Sequence, residues 1–266
     1  MEFEVIKLGG SILKDREAFS RAADIIEHEL ARDILPVNVV SAMKGVTDQI
    51  ITALHQCIID EAYDPRRFIE ELFERHLVAL PSGVEADNAL EAEFEKLLHV
   101  LFYIKSSGEL NDSVYAYAVS RGENLSARVL SQHLSTRGVK NQCFYGEDLM
   151  ATDENNLEGT VEHEKTTEQI NELLRPSIEE GIVSIIAGFA GRSLKGSITI
   201  LGRGGTDDTA VSVAYGLGVE RAVKYVLEEG IMSIDPKFIT MLREEYPEIM
   251  AQFYDLPEPR IVPYLS

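Results

Sequence analysis

The sequence contains no tryptophan, only two cysteines and nine prolines, and no long apolar run. Two cysteines that lie far apart, Cys57 and Cys143, exclude a disulfide framework and a cysteine-based zinc site. No stretch approaches the roughly 20 apolar residues that a membrane span requires. The first strand begins at once, without a basic segment or an apolar leader before it. These absences predict a cytoplasmic protein that does not contact a membrane.

Basic residues are scarce as well. The chain has 266 residues, with 25 Lys and Arg against 45 Asp and Glu, and its net charge is −20. Such a surface repels nucleic acid, so no nucleic-acid partner is expected. A hydrophobic content of 45% can form a sizeable core in one large or two modest domains. The six histidines are scattered without ligand spacing, and we expect no metal site built from side chains.

The segment Leu201–Ala210 is the most informative part of the chain. It reads LGRGGTDDTA and leads into a helical pattern of small, apolar residues. Glycines before a helix start expose backbone N–H groups at the positive end of the helix dipole, which favours anion binding. Arg203 offers a fork for a carboxylate or phosphate, and Asp207 could bind a metal or orient an ammonium. The alternative is a tight turn capped by Thr206 or Asp207.

A second glycine pair follows the first predicted strand, Phe3–Leu8. Lys7 stands near the end of that strand, and Gly9, Gly10 and Ser11 come directly after it. A lysine beside paired glycines is suited to gripping a phosphoryl group. Neither glycine segment matches a standard nucleotide-binding fingerprint. The run most like the Gly-Lys-Ser of a P-loop, at residues 195–197, has its residues in the wrong order. The Gly9-Gly10 pair lacks the third glycine of the dinucleotide-binding pattern. The sequence therefore predicts a phosphate chemistry outside both classes.

The ends of the chain alternate between strands and helices, whereas residues 49–134 are helical almost throughout. Breaks in the helical region fall near Asp64-Pro65, near residues 81–83 and at Gly108. Continuous apolar strands separated by helices indicate an α/β protein with a mostly parallel central sheet and a helical insertion. The predicted strands, besides the first, are residues 37–40, 140–144, 181–187, 197–201 and 222–227.

Taken together, the motifs resemble the amino-acid kinase family, and within it the aspartokinase catalytic domain. In chain order they are residues 7–11 (KLGGS), 39–48 (VVSAMKGVTD), 120–126 (SRGENLS), 188–191 (GFAG) with 201–210, and Gly230 with residues 235–237 (DPK). The resemblance implies a three-layer α/β/α sandwich. It also implies one kinase domain over residues 1–266, with an acceptor lobe over about 1–192 that includes the insertion at about 49–134. A nucleotide lobe, carried in truncated form, would occupy about 193–266.

The activity implied is transfer of the ATP γ-phosphoryl group to the side-chain carboxylate of L-aspartate, which feeds lysine, threonine and methionine biosynthesis. Mg²⁺ would be held mainly by the ATP phosphates, and a homodimer is expected. Lys7 and Asp207 would be catalytic. The aspartate would be bound by Ser41, Thr47, Glu123 and Arg203. The phosphates and nucleotide would be bound by Gly9, Gly10, Ser11, Gly204, Gly205, Gly230, Asp235 and Lys237.

The chain departs from the family pattern on the nucleotide side. Val226, Leu227 and Met232 stand where the family has a threonine, an aspartate and a tyrosine, and Lys237 replaces an arginine. We also expect no regulatory domains within residues 1–266. Two alternatives therefore stay open: a kinase of another small amino acid or acid, and a non-catalytic homologue that binds an amino acid but has a degraded ATP site.

Overall fold

Apolar strands alternate with helices along most of the chain. The computed structural model describes residues 2–219 and 222–225. They belong to the first of two compact units, residues 1–225 and 226–266. The strands described are β1 (Glu2–Leu8), β2 (Ile34–Val40), β3 (Asn141–Tyr145), β4 (Ala151–Thr152), β5 (Val183–Ala187), β6 (Ala190–Ser193), β7 (Ile198–Ile200) and β8 (Ala222–Tyr225). Five of them form the main sheet in the order β3-β5-β2-β1-β8, with every neighbouring pair parallel.

Helices cover this sheet. They are α1 (Arg16–Ala31), α2 (Val46–Ile59), α3 (Pro65–Ala79), α4 (Asn88–Ser107), α5 (Asp112–Thr136), α6 (Gly146–Leu149), α7 (His163–Gln169), α8 (Arg175–Glu179) and α9 (Gly205–Leu217), with a π-helical turn at Ile170–Leu174. Helices α1 and α5 contact each other, and both contact β2. Helix α9 packs on β1 and β2 and also contacts the π-helical turn. The α/β sandwich with a mostly parallel central sheet is thereby confirmed.

The predicted helical region, residues 49–134, corresponds to α2 to α5. Its breaks lie where the sequence placed them. The Asp64 side chain caps the start of α3 by accepting from the Arg66 N–H at 3.0 Å, and Gly108 ends α4 in the left-handed conformation with φ 70°. Helix α5 packs directly on β3 and β5, so it belongs to a helical layer of the sandwich, and α2 and α4 pack against it. The predicted lobe limits stay a prediction.

One predicted strand lies elsewhere than expected. Residues 197–201 were expected among the parallel strands, but β7 pairs antiparallel with β6 in a separate sheet of order β4-β6-β7. Only residues 194–197 connect β6 to β7. A connection this short can join antiparallel neighbours only, because a parallel crossover needs a dozen residues or more.

The carboxyl ends of the parallel strands gather the residues of interest. Lys7 lies near the end of β1, Ser41 directly follows β2, and Gly188 and Phe189 directly follow β5. A Cβ on Gly188 would lie 2.8 Å from the Thr206 Cγ2 atom, so glycine there lets α9 approach the strand end closely. Ligands of open parallel sheets bind at this edge. No helix within the described ranges is both long and apolar enough to cross a bilayer.

Candidate active site

A cavity of about 700 Å³ opens at the carboxyl edge of the main sheet. It brings together many residues that the sequence analysis singled out from distant parts of the chain. These are Lys7, Ser41, Thr47, Glu123, Arg203, Gly204, Gly205 and Asp207. The cavity is also lined by residues that the sequence analysis did not assign to the site: Asp48, Ile51, Tyr115, Phe189, Ile200, Gly202 and Thr206.

Lys7 is buried on the floor of this cavity and pairs with Asp207 in the first turn of α9. Its Nζ atom lies 3.1 Å from the Asp207 Oδ1 atom. Burial lowers the pKa of Lys7, the Asp207 carboxylate opposes that effect, and the charge of Lys224 adds to it. Burial would raise the pKa of Asp207, but the hydrogen bonds and charges of Lys224 and Lys7 hold it below its ordinary value. Each member of the pair therefore favours the charged form of the other.

Lys224 is the residue of this cluster that the sequence analysis missed. Its Nζ donates to the Asp207 Oδ2 atom at 2.9 Å, so one carboxylate bridges two ammonium groups. The signal was present, because a lysine interrupts the apolar pattern of β8. Recognising it required the register between the strands, which places Lys224 directly beside Lys7.

The start of α9 forms a second wall. Gly204 caps the helix in the left-handed conformation, with φ 83°. A Cβ on Gly205 would lie 2.9 Å from the Leu201 Cβ and 3.0 Å from the Phe189 Cδ2 atom, so only glycine fits without a shift. The Gly205 N–H donates to the Gly202 carbonyl at 3.1 Å, and the Ser41 hydroxyl donates to Thr206 Oγ1 at 3.1 Å. The positive end of the α9 dipole thus faces the cavity.

Glu123 lies on α5, which approaches the β2–α2 connection closely. A Cβ on Gly122 would lie only 3.1 Å from the Ala42 Cβ atom. Burial raises the pKa of Glu123 to about 8, although hydrogen bonds from the Ala42 backbone and from its own backbone and the charge of Arg121 oppose the rise. Its Oε2 atom is buried without a hydrogen-bond partner in the described part of the chain. Such a carboxyl has an unsatisfied polar atom beside the cavity, which a hydrogen-bonding ligand would satisfy.

A buried ion cluster lies next to Glu123 on the same helix. The Arg121 guanidinium, 2% exposed, lies 3.3 Å from Glu93 and also contacts Glu147. The two carboxylates raise the pKa of Arg121 above its ordinary value against the effect of burial. Lys96 also pairs with Glu93, at 2.6 Å, so two cations balance the two carboxylates of the cluster. The Glu147 Oε2 atom is also buried without a partner in the described residues, but Glu147 lines a different cavity. Glu123 is therefore the carboxyl of this region that lines the cavity described here.

Arg203 and Thr47 complete the polar lining. Arg203 is exposed, and its guanidinium makes no ion pair with any residue in the ranges 2–219 and 222–225. Thr47 lies in the first turn of α2, which follows the left-handed Gly45 with φ 80°. The N-termini of α2 and α9 therefore both border the cavity. An arginine fork and two helix N-termini suit carboxylate and phosphate groups.

An apolar wall faces these polar groups. It is formed by Ile51, Tyr115, Phe189 and Ile200. Phe189 has a positive φ of 70°, which is costly for a residue with a Cβ, and its N–H donates to Thr209 Oγ1 at 3.0 Å. Ile51, Tyr115 and Ile200 look like core residues in a sequence, so composition gave no signal for their place in the site, whereas Phe189 belongs to the motif at residues 188–191.

The first glycine pair shapes the floor without lining the cavity directly. A Cβ on Gly9 would lie 3.5 Å from the Lys7 Nζ atom, and one on Gly10 would lie 2.8 Å from the Ala42 carbonyl oxygen. Gly9 and Gly10 accept from the N–H groups of Ile12 and Leu13 in the turn that follows β1, and Ser11 is exposed. Gly230, Asp235 and Lys237, like Val226, Leu227 and Met232, lie outside the described residues.

The donor set of the site fits the phosphates of a nucleotide. Lys7 supplies a cation, α9 supplies a helix N-terminus, and Gly9 and Gly205 keep side chains out of the approach. Both oxygens of Asp207 are engaged by lysines. Within the described ranges, no group of three or more His, Cys, Asp or Glu residues is suited to a metal.

A parallel α/β sandwich thus carries, at one strand edge, a paired lysine and aspartate, a glycine-rich helix start and an exposed arginine, a set that suits phosphate and carboxylate groups. The amino acid kinase family model matches residues 2–254, and the chain belongs to that family. The expected family is thereby confirmed.

Similar proteins include several aspartokinases. The chain is 26% identical to the bifunctional aspartokinase/homoserine dehydrogenase of Haemophilus influenzae, over 88% of the chain and 29% of that protein. It is 28% identical to the lysine-sensitive aspartokinase 3 of Escherichia coli, over 90% of the chain and 52% of that protein. The crystal structure of E. coli aspartokinase III in complex with aspartate and ADP is similar, with TM-score 0.75 and 25% identity, over 89% of the chain and 52% of that structure. The chain spans about half or less of these relatives.

Proposed function

We propose that this protein transfers the γ-phosphoryl group of ATP to the side-chain carboxylate of L-aspartate and so forms 4-phospho-L-aspartate. One observation carries the proposal. A single cavity presents Glu123 and Arg203, which suit the two charges of an α-amino acid, together with Lys7, which suits a phosphoryl group. The product would be the activated carboxylate from which lysine, threonine and methionine biosynthesis proceeds.

The roles follow from position and charge. Glu123, with its unpartnered Oε2, accepts hydrogen bonds from the α-ammonium, and Arg203 grips the α-carboxylate. Ser41 and Thr47 hydrogen-bond the carboxylates of the acceptor. Lys7 stabilises the negative charge on the oxygens of the transferred group, and Asp207 orients Lys7.

The nucleotide supplies the phosphoryl group, and Mg²⁺ neutralises its phosphates when it is bound. The chain's own contribution is to position the acceptor and to place positive charge where negative charge accumulates. The N-terminus of α9, including Gly204 and Gly205, borders that position. Gly230, Asp235 and Lys237 are proposed to contact the nucleotide on the strength of the sequence motif alone.

The test separates the two ligands. Isothermal titration calorimetry with L-aspartate and with Mg·ATP, each alone, is followed by a turnover assay in which hydroxylamine traps the acyl phosphate. We expect aspartate binding and hydroxamate formation, with D-aspartate and L-glutamate as stereochemical and length controls. The Lys7→Met variant should bind aspartate but form no hydroxamate above background. Absence of turnover with L-aspartate would contradict the proposal.

Two alternatives are distinguished by the same experiment. The apolar wall formed by Ile51, Tyr115 and Phe189 favours an acceptor with a less polar part, so a panel of small amino acids belongs in the assay. Val226, Leu227 and Met232 favour a protein that binds an amino acid without using ATP, because each removes a polar or aromatic nucleotide contact of the family pattern. Aspartate binding with no detectable Mg·ATP binding would select that second reading.

A further inference from the structure

Lys7 and Lys224 are direct neighbours on adjacent parallel strands. The register of β1 and β8 pairs Lys7 with Lys224, and both ammonium groups reach the same carboxylate on α9. The Nζ of Lys7 lies 3.1 Å from Asp207 Oδ1, and the Nζ of Lys224 lies 2.9 Å from Asp207 Oδ2. Each oxygen of Asp207 therefore has its own lysine.

The charge balance of this triad differs from that of an isolated pair. Lys7 and Asp207 alone would neutralise each other, and the Lys7 ammonium would be held by its partner. With Lys224 present, the three groups keep one net positive charge. Lys224 is not among the residues that line the cavity, whereas Lys7 and Asp207 are. The Lys224 ammonium therefore contacts Asp207 without lining the cavity. It can influence a ligand in the cavity through its effect on Asp207 and Lys7.

We propose that Lys224 is a positioning residue, which occupies one oxygen of Asp207 and so keeps the Lys7 ammonium available to an anionic group in the cavity. This role adds a residue to the proposed function. It rests on that function only in taking the anion to be the transferred phosphoryl group. The contact between the three side chains does not depend on that function.

The groups that face Lys7 set the sign of the expected effect. Asp207 faces it from α9 and Lys224 from β8, while Glu123, Asp48 and Arg203 line the same cavity from other elements. Its neighbour in the register of β2 is the apolar Val39. Removing the Lys224 charge leaves Asp207 to Lys7 alone and removes a repulsion. Both changes favour the charged form, so the pKa of Lys7 rises.

The first experiment measures this directly. Lys7 is acetylated with limiting acetic anhydride over a pH series, and its modification is quantified by peptide mass spectrometry in the wild type, Lys224→Met, Lys224→Arg and Lys165→Met. Lys165 is the matched control, since it pairs with Glu168 on the surface of α7. We expect the labelling midpoint to move to higher pH in Lys224→Met, with labelling at pH 8 about threefold slower. Lys224→Arg and Lys165→Met should behave like the wild type. An unchanged midpoint in Lys224→Met would overturn the proposal.

The second experiment uses turnover. Lys224→Met should lower kcat about tenfold and leave the KM for aspartate within about twofold, because it touches none of the acceptor-binding residues. Lys224→Arg should recover kcat, and Lys224→Gln provides a second neutral variant should Lys224→Met fail to fold. Equal kcat in both neutral variants and the wild type would overturn the proposal. Absence of turnover in the wild type would count against the proposed function, and the labelling experiment would still decide the role of Lys224.

Discussion

Binding of aspartate should release a proton from Glu123. In the ligand-free protein, burial raises the pKa of this carboxyl to about 8, and its Oε2 atom has no partner in the described part of the chain. An α-ammonium group that donates to Glu123 requires the carboxylate form. Binding near neutral pH therefore has to remove a proton that the free protein holds.

The size of the effect follows from the position of that pKa. With a pKa of about 8, the ratio of protonated to ionised Glu123 at pH 7 is about 10 to 1, so binding should release about 0.9 proton. At pH 8 the release falls to about 0.5 proton. If only the ionised form binds, the apparent Kd improves about ninefold from pH 6 to 7 and about fivefold from pH 7 to 8.

Calorimetry in two buffers of different ionisation enthalpy gives the number of protons released. Glu123→Gln keeps the side-chain shape but cannot ionise, so we expect no proton release from this position and an affinity that varies less with pH. Losing the charge-assisted hydrogen bond should cost about 1.5–3 kcal/mol of binding. The difference between wild type and variant isolates Glu123, because Lys7 is the same in both. Glu109→Gln, at an exposed glutamate, is the matched control.

The result that refutes this reasoning is also specific. A wild-type release below about 0.2 proton at pH 7, or an aspartate affinity that is flat between pH 6 and 8, would show that Glu123 does not meet the ammonium as a carboxylate. Equal proton release in wild type and Glu123→Gln would assign the proton to another group.

Further predictions concern the rest of the site. Lys7→Met should lower kcat by at least about a hundredfold without changing the melting temperature measured by circular dichroism. Arg203→Ala should weaken aspartate binding by about 2 kcal/mol in calorimetry, and an unchanged Kd would contradict its role. Gly205→Ala should lower the free energy of unfolding in urea by about 1–3 kcal/mol, because its Cβ would lie 2.9 Å from the Leu201 Cβ atom. Glu123 has a folded pKa raised above its ordinary value of 4.5, so its protonated form stabilises the ligand-free fold and that contribution is lost as pH rises towards about 8. The free energy of unfolding should therefore fall by on the order of 1.4 kcal/mol per pH unit across that window relative to Glu123→Gln, and parallel pH profiles would contradict this.

The sequence by itself determined the elements and the chemistry of the glycine segments. Apolar runs specify β1, β2 and β5, and capping residues such as Asp64 and Gly108 specify where helices begin and end, because these signals are local. The residues around Arg203 and Lys7 indicated anion binding for the same reason. A basic side chain and the exposed N–H groups of the glycines beside it are neighbours in the sequence, so this signal is local too.

Tertiary structure decided which of these signals meet. Lys224 joins the site because the β1–β8 register sets it beside Lys7, and register arises from pairing between strands more than 200 residues apart in the chain. The elevated pKa of Glu123 comes from its burial where α5 packs against the β2–α2 connection, which no local pattern encodes. The apolar wall of Tyr115 and Phe189 is likewise set by packing, since an apolar side chain looks the same in a sequence whether it fills a core or lines a cavity.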